Sequence, residues 1–213
     1  MHTRIWIVST VLAGMLLLAS CAGPTATPEG PTPTPVPRTP LVISEVQAGA
    51  AGDNNLEFIE LYNATGEPLD LEGYRLLYRL SPEAEEVLLY AWEEPAAIPP
   101  HGHFLLVRAG KEVGAVPDAE FDYPLNTRFG SLTLLDPTGT VAEGSPAPPL
   151  ENDRSLERRP GGEAGNGQDT DDNGADFFLN DTPGPQNTGS LPAPVEPQRL
   201  EVCLLYTSPS PRD

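Results

Sequence analysis

The sequence predicts an all-β sandwich, and three observations carry that prediction. Between residues 41 and 141, apolar and polar side chains alternate in short runs. Clusters of Gly, Pro, Asn and Asp separate these runs at the spacing of turns between strands. No stretch carries the apolar periodicity of an amphipathic helix of useful length.

Taken in order, residues 41–46 (LVISEV) form the first strand, and Gly49, Gly52 and 53–55 (DNN) the loop after it. In 56–62 (LEFIELY), Ile59 and Leu61 share one face, with Glu57 and Asn63 in the same register. Phe58 and Tyr62 flank Glu60 on the other face, so this strand is expected to be partly covered on both sides. Residues 63–68 turn the chain. The run 69–78 (LDLEGYRLLY) alternates through Leu69, Leu71, Tyr74, Leu76 and Tyr78, with a change of register at Gly73 that reads as a bulge. Residues 87–92 make another strand, and 98–107 (IPPHGHFLLV) enters one through a proline-glycine turn. Residues 132–141 (LTLLDPTGTV) read as a hairpin turning at 136–139.

The chain has 213 residues, enough for one domain of ordinary size once its ends are set aside. It holds 26 Pro and 20 Gly, and its formal charge is −19. The acidity belongs to the domain: residues 41–189 contain 27 Asp and Glu against 8 Lys and Arg. Such a surface repels phosphate, which argues against nucleic acid and anionic lipid head groups as partners. Metal ions, basic proteins and a positively charged wall polymer remain, beside the plain reading that acidity keeps the domain soluble.

Residues 1–20 have the layout of a secretory signal, with Arg4 before an apolar run from Ile5 to Leu18 and small residues Ala19 and Ser20 after it. The run is too short for a comfortable membrane span. Leu18-Ala19-Ser20-Cys21 resembles the lipobox of bacterial lipoproteins, which implies a diacylglyceryl group on Cys21 and cleavage before it. Two acyl chains are what stable anchoring requires. Ala22, where an Asp would signal retention at the inner of two membranes, permits export to the outer one. Residues 21–40 then form a tether: seven prolines and five threonines lie between Gly23 and Pro40. In an extended polyproline conformation at ~3.1 Å per residue it holds the domain roughly 50–60 Å from the membrane.

At the other end, residues 190–202 include LPAPVEPQ (191–198), which reads as a second proline-rich linker. Residues 203–213 (CLLYTSPSPRD) resemble a translated sequencing adapter over all eleven codons. On that reading Cys203 leaves the cysteine count and no disulfide framework exists. The natural chain is then expected to continue differently after Val202.

The ordered set EFIELYN (57–63), LDLEGYRL (69–76), IPPHGHFLLV (98–107) and LTLLDPTG (132–139) resembles lamin tail domains. That family implies an immunoglobulin-like β-sandwich, here over residues 41–189, and a non-catalytic module. Tyr74 stands where the family often has Trp. SLERRPGG (155–162), DTDDNGADF (169–177) and TPGPQN (182–187) resemble a C-terminal stretch of its bacterial members. Fold alone does not assign function.

Among candidate sites, Asp169, Asp171, Asn173 and Gly174 fit the opening of a calcium loop, in which alternate oxygens face a hard cation and Gly allows the sharp turn. Asp172 and Asp176 are further potential ligands. The closing acid is missing, since the twelfth position is Asn180, and no helix pair frames the loop. An Asx-turn that closes the sandwich is the competing reading, and the missing acid favours it. His101 and His103 share a face, but no Cys or third nearby His completes a metal site, and a proline-glycine turn is an ordinary place for exposed histidine. Arg158 and Arg159, beside Glu157, are expected to pair with the acidic sheet. No G-x-S-x-G, HExxH or phosphate-cradling glycine loop is present, and no two carboxylates stand out as an acid–base pair.

These features predict a membrane-anchored, exported, non-catalytic binding or structural module, with an unidentified protein or cell-wall partner and no cofactor, calcium being the one candidate. The alternatives are an accessory domain of a truncated exported hydrolase and a calcium-dependent adhesion or assembly module.

Overall fold

The computed structural model describes residues 40–126, 128, 130–144 and 151–193. The signal segment, Cys21, the tether up to residue 39, residues 194–202 and the adapter-like stretch lie outside the described residues.

Among the described residues twelve strands follow one another: β1 Leu41–Ala50, β2 Asp53–Asn63, β3 Leu69–Asp70, β4 Arg75–Arg79, β5 Glu86–Ala91, β6 Ala97–Ile98, β7 His103–Arg108, β8 Ala119–Phe121, β9 Ser131–Leu135, β10 Val141–Gly144, β11 Ser155–Arg158 and β12 Phe177–Asn180. The helical pieces among the described residues are a 3-10 turn at Gly162–Ala164 and the single turn α1, Asn173–Asp176. A six-stranded sheet runs β12-β11-β1-β2-β7-β8, a four-stranded sheet β10-β9-β4-β5, and β3 pairs β6. Every pairing is antiparallel except β7 with β8.

The two larger sheets are held together by one core. Leu41, Ile43 and Val46 of β1, Ile59 and Leu61 of β2, and Phe104 and Leu106 of β7 meet Leu76 and Tyr78 of β4, Leu89 of β5, and Leu132 and Leu134 of β9. Burying each such side chain is worth about 1.5–3 kcal/mol, and the alternation legible in the sequence selects these residues. The architecture is the β-sandwich expected from that alternation, of the immunoglobulin-like form that the resemblance implies. Trp92 packs edge-on against both Tyr90 and Phe104, and the aromatic position Tyr74 is buried in the same core.

Several expectations change in detail. The run 69–78 is two strands in different sheets, and Gly73 is a turn rather than a bulge. Its φ is +86°, and an added Cβ would lie 3.1 Å from Pro137 Cβ. The proline-glycine segment likewise separates β6 from β7. β1 and β2 extend almost to each other, so the loop expected at 49–55 is a tight turn at Ala51 and Gly52. β8, β11 and β12 extend the large sheet with strands not identified from periodicity, because each has only three or four residues.

Beyond β12 the chain lies along the large sheet as an extended strap, residues 182–193. The linker reading of 190–202 is corrected at its start: Ala193 is buried, and its N–H donates to His101 O at 2.8 Å.

Candidate functional site

The outer face of the six-stranded sheet carries a row of ionisable side chains. Glu45 is the cross-strand neighbour of Glu157 on β11 and of Glu60 on β2. His103 at the start of β7 brings Nε2 to 3.7 Å from Glu60 Oε1. The row Glu157, Glu45, Glu60, His103 thus crosses four adjacent strands. A bulge in β1 sets Ser44 and Glu45 together opposite Glu60, which aims Ser44 Oγ at Glu60 Oε1, 2.7 Å away. All four ionisable groups are buried; Glu60 is 1% exposed and His103 fully enclosed.

Burial of charge without compensation is costly, so each member is provided with partners. Ser155 Oγ donates to Glu45 Oε1. Asn180 Nδ2 donates to Glu157 Oε2 at 2.7 Å, and Gly162 N–H to Glu157 Oε1 at 2.6 Å. The strap supplies the rest: Gly184 N–H donates to Glu45 Oε1 at 3.3 Å and Gln186 N–H to Glu60 Oε2 at 2.6 Å. Residues 183 and 185 are prolines, so Gly184 and Gln186 own the backbone donors of that stretch, and both are given to the row. The motif TPGPQN is therefore a clasp over buried carboxylates.

The clasp is fastened further along. Thr188 N–H and Asn187 Nδ2 donate to Asp118 Oδ2 and Val116 O at 3.0 and 2.8 Å. Asp118 Oδ2 also accepts the Leu105 N–H at 2.8 Å, which ties the strap to β7. Tyr62 O–H donates to Ala193 O.

Electrostatics follow from this enclosure. Burial pushes the Glu45 carboxyl up to about 7, with the Ser155 bond opposing it and Glu157 adding to it. Burial, and then the neighbouring Glu45, hold Glu60 well above the ordinary carboxylate range. Burial lowers His103 to about 4 against the opposing bond to Asn166. Asn166 Nδ2 donates to Arg158 O at 2.9 Å, so its Oδ1 faces His103 Nε2 at 3.1 Å as an acceptor. The neutral imidazole accordingly carries its proton on Nε2.

The expectation of exposed histidines is corrected: His103 is interior because it begins β7 beneath the 160–168 loop, against Asn166. His101 sits in the turn with φ +52°, its Nδ1 3.4 Å from Tyr62 Oη. It lines an open cleft of about 440 Å³ with Tyr62, Pro160, Gly167 and Gln168.

The acidic loop is divided in its roles. Asp176 turns inward and is fully buried; its carboxylate accepts from Thr170 N–H and Oγ1, both at 2.8 Å, and from Gln168 Nε2 at 3.0 Å. Burial pushes its carboxyl up, but these bonds and Arg158 outweigh that and hold it below its ordinary value. Asp172 caps α1 by accepting the Gly174 N–H at 3.0 Å. Asp171 has φ +60°, and its N–H donates to Asp169 Oδ1 at 3.4 Å. Asn173 opens α1. Among the described residues no group of three or more His, Cys, Asp and Glu side chains is placed to hold a metal ion. Asp169, Asp171, Asn173 and Asp176 thus lie in one hydrogen-bonded loop that ends in α1.

Arg158 differs from expectation too. It is fully buried, donates Nε to Ile43 O at 2.8 Å and Nη1 to Gln168 O at 2.7 Å, and lies 3.7 Å from Asp176 Oδ2. Its guanidinium covers the Phe177 ring at 4.4 Å. Its carboxylate partner is thus the acidic loop, which it pins to β1. Arg159 donates Nε to Ala175 O at 3.2 Å and stacks on Phe178.

The buried row was not singled out by periodicity. Its signal in the sequence is Glu60, set between Phe58 and Tyr62 on a strand covered on both sides, together with the prolines at 183 and 185.

The family model for the Lamin Tail Domain matches residues 34–145. No curated protein matches the chain.

Proposed function

We propose, since this chain belongs to the lamin tail domain family of non-catalytic β-sandwich modules, that it is a lipid-anchored extracytoplasmic module that binds or scaffolds through its surface. One observation carries the reading: the domain's most perturbed acid–base groups are sealed, Glu45 and Glu60 beneath the strap and His103 against Asn166 of the 160–168 loop. Groups so enclosed do not meet substrate, whereas a general acid or base must come within hydrogen-bond reach of one. The lipobox-like Leu18-Ala19-Ser20-Cys21 supports anchoring, and the proline-rich tether supports display at a distance from the membrane. The acidic surface favours a basic protein or a cationic wall polymer over nucleic acid.

The test is expression of the chain and of Cys21→Ser in a bacterium, followed by detergent partitioning and intact-mass analysis of the N-terminus. The parent is expected in the detergent phase with a diacylglyceryl mass on Cys21, and the variant uncleaved or in the aqueous phase. An unmodified N-terminus in the parent would sink the anchoring proposal.

A further inference from the structure

The strap is held to the sheet in an unusual way, through backbone N–H groups given to carboxyls that crowd one another. Three glutamates are cross-strand neighbours in sequence Glu157, Glu45, Glu60. Like charges so placed repel, and the repulsion grows where water is excluded. The row stays tolerable while protons remain in it.

We propose that residues 182–193 form a proton-controlled latch, closed while the Glu157–Glu45–Glu60 row beneath holds protons and released as the row becomes fully charged. Lifting the strap is the local route by which Glu45 and Glu60 reach water. On their other side lie the strands themselves and, beyond them, the apolar core. The strap, by contrast, is a single extended segment on hydrogen bonds from Gly184, Gln186, Asn187, Thr188 and Ala193.

The direction follows from which state binds the proton. Burial raises Glu45 from 4.5 to about 7, with Glu157 adding to the rise and the Gly184 N–H of the strap opposing it, so lifting the strap releases a proton to the extent that it returns water to the carboxyl. Glu60, held well above the ordinary range, extends the window upward. His103 works the other way: lowered to about 4 from 6.5, it takes up a proton on exposure and favours lifting as pH falls through that interval. Below about 6.5 the proton taken up by His103 offsets only part of the release from the two carboxyls. Above 6.5 only the carboxyls act, and opening increases by up to about tenfold per pH unit for each proton released. Tyr62, raised by burial, also faces the strap and stays protonated throughout this range. Asp118, at the edge of the row, fastens Thr188, and His101 O holds Ala193.

Hydrogen exchange of the full chain, corrected for the intrinsic pH dependence of exchange, reads the latch directly. The Gly184 and Gln186 amides are expected to lose at least tenfold protection between pH 6.5 and 8.5, while β2 and β7 keep theirs. A Glu45→Gln/Glu60→Gln variant should flatten that slope. Asp118→Asn should lower strap protection at every pH and leave the slope in place. Protection independent of pH in the parent, equal loss in β2 and β7, or a slope surviving in the double Gln variant would each overturn the latch.

Discussion

Gln186 gives its backbone N–H to Glu60 Oε2 at 2.6 Å, across 126 positions of sequence. The bond joins the clasp motif to the centre of the large sheet, and it makes the C-terminal stretch part of the domain rather than an appendage. Without the strap, Glu60 and Glu45 would lose donors and become exposed on an outer sheet face. With it, they are buried groups whose protonation is linked to folding.

That linkage shapes the pH dependence of stability. The folded-state value of Glu45 is raised from 4.5 to about 7, so its contribution is complete below 4.5 and lost as pH rises through 7. The folded-state value of His103 is lowered from 6.5 to about 4, so its contribution is complete above 6.5 and lost as pH falls through 4. Urea unfolding from pH 4 to 9 should therefore show stability falling most steeply as pH rises above about 6.5, where only the raised carboxyls titrate. Glu45→Gln should remove part of the alkaline decline, a gain on the order of 1–3 kcal/mol at pH 8, and His103→Gln part of the acid decline. Midpoints unchanged from pH 5 to 9 in the parent would contradict this account.

Arg158 and Asp176 are expected to be coupled. Removing one member of a buried pair leaves the other charge uncompensated, at a cost of about 3–5 kcal/mol. Arg158→Met should approach that loss, since it also gives up the bonds to Ile43 O and Gln168 O. The double variant with Asp176→Asn should lose less than the two single changes added together. A double-mutant cycle with no coupling energy would show that the pair does not hold the acidic loop to β1.

For the acidic loop, the turn reading predicts a general response to divalent cations. With a surface of net charge −19, calcium and magnesium should raise the melting temperature by screening, to the same extent. Asp171→Asn and the distant Glu86→Gln should respond like the parent. A rise specific to calcium, lost only in Asp171→Asn, would instead establish a bound ion, because a site-bound ligand stabilises the folded state selectively.

Much of the fold was legible because burial in a sandwich imposes a period of two. Ile59 and Leu61, Leu76 and Tyr78, and Leu132 and Leu134 alternate in sequence and meet in one core. The ordered motifs carried the family. Periodicity could not tell a bulge at Gly73 from a passage between sheets, since both interrupt alternation at a glycine. Strands as short as β8 and β11 gave too few residues to define a period.

What the sequence determined by itself is the set of local patterns: the strands long enough to alternate, the turns, the lipobox-like segment and the acidic balance. What only the tertiary structure decided is the fate of the charged residues. Glu45, Glu60, Glu157, His103, Arg158 and Asp176 have the composition of a solvated surface, yet all are buried. The reason is that charge is tolerated inside a protein only when donors and acceptors arrive from elsewhere in the chain. Here the C-terminal strap and loop bring those partners from as far as 139 residues away, between Glu45 and Gly184. No local pattern records such a meeting, because it exists only once the sheet has formed and the strap has closed over it.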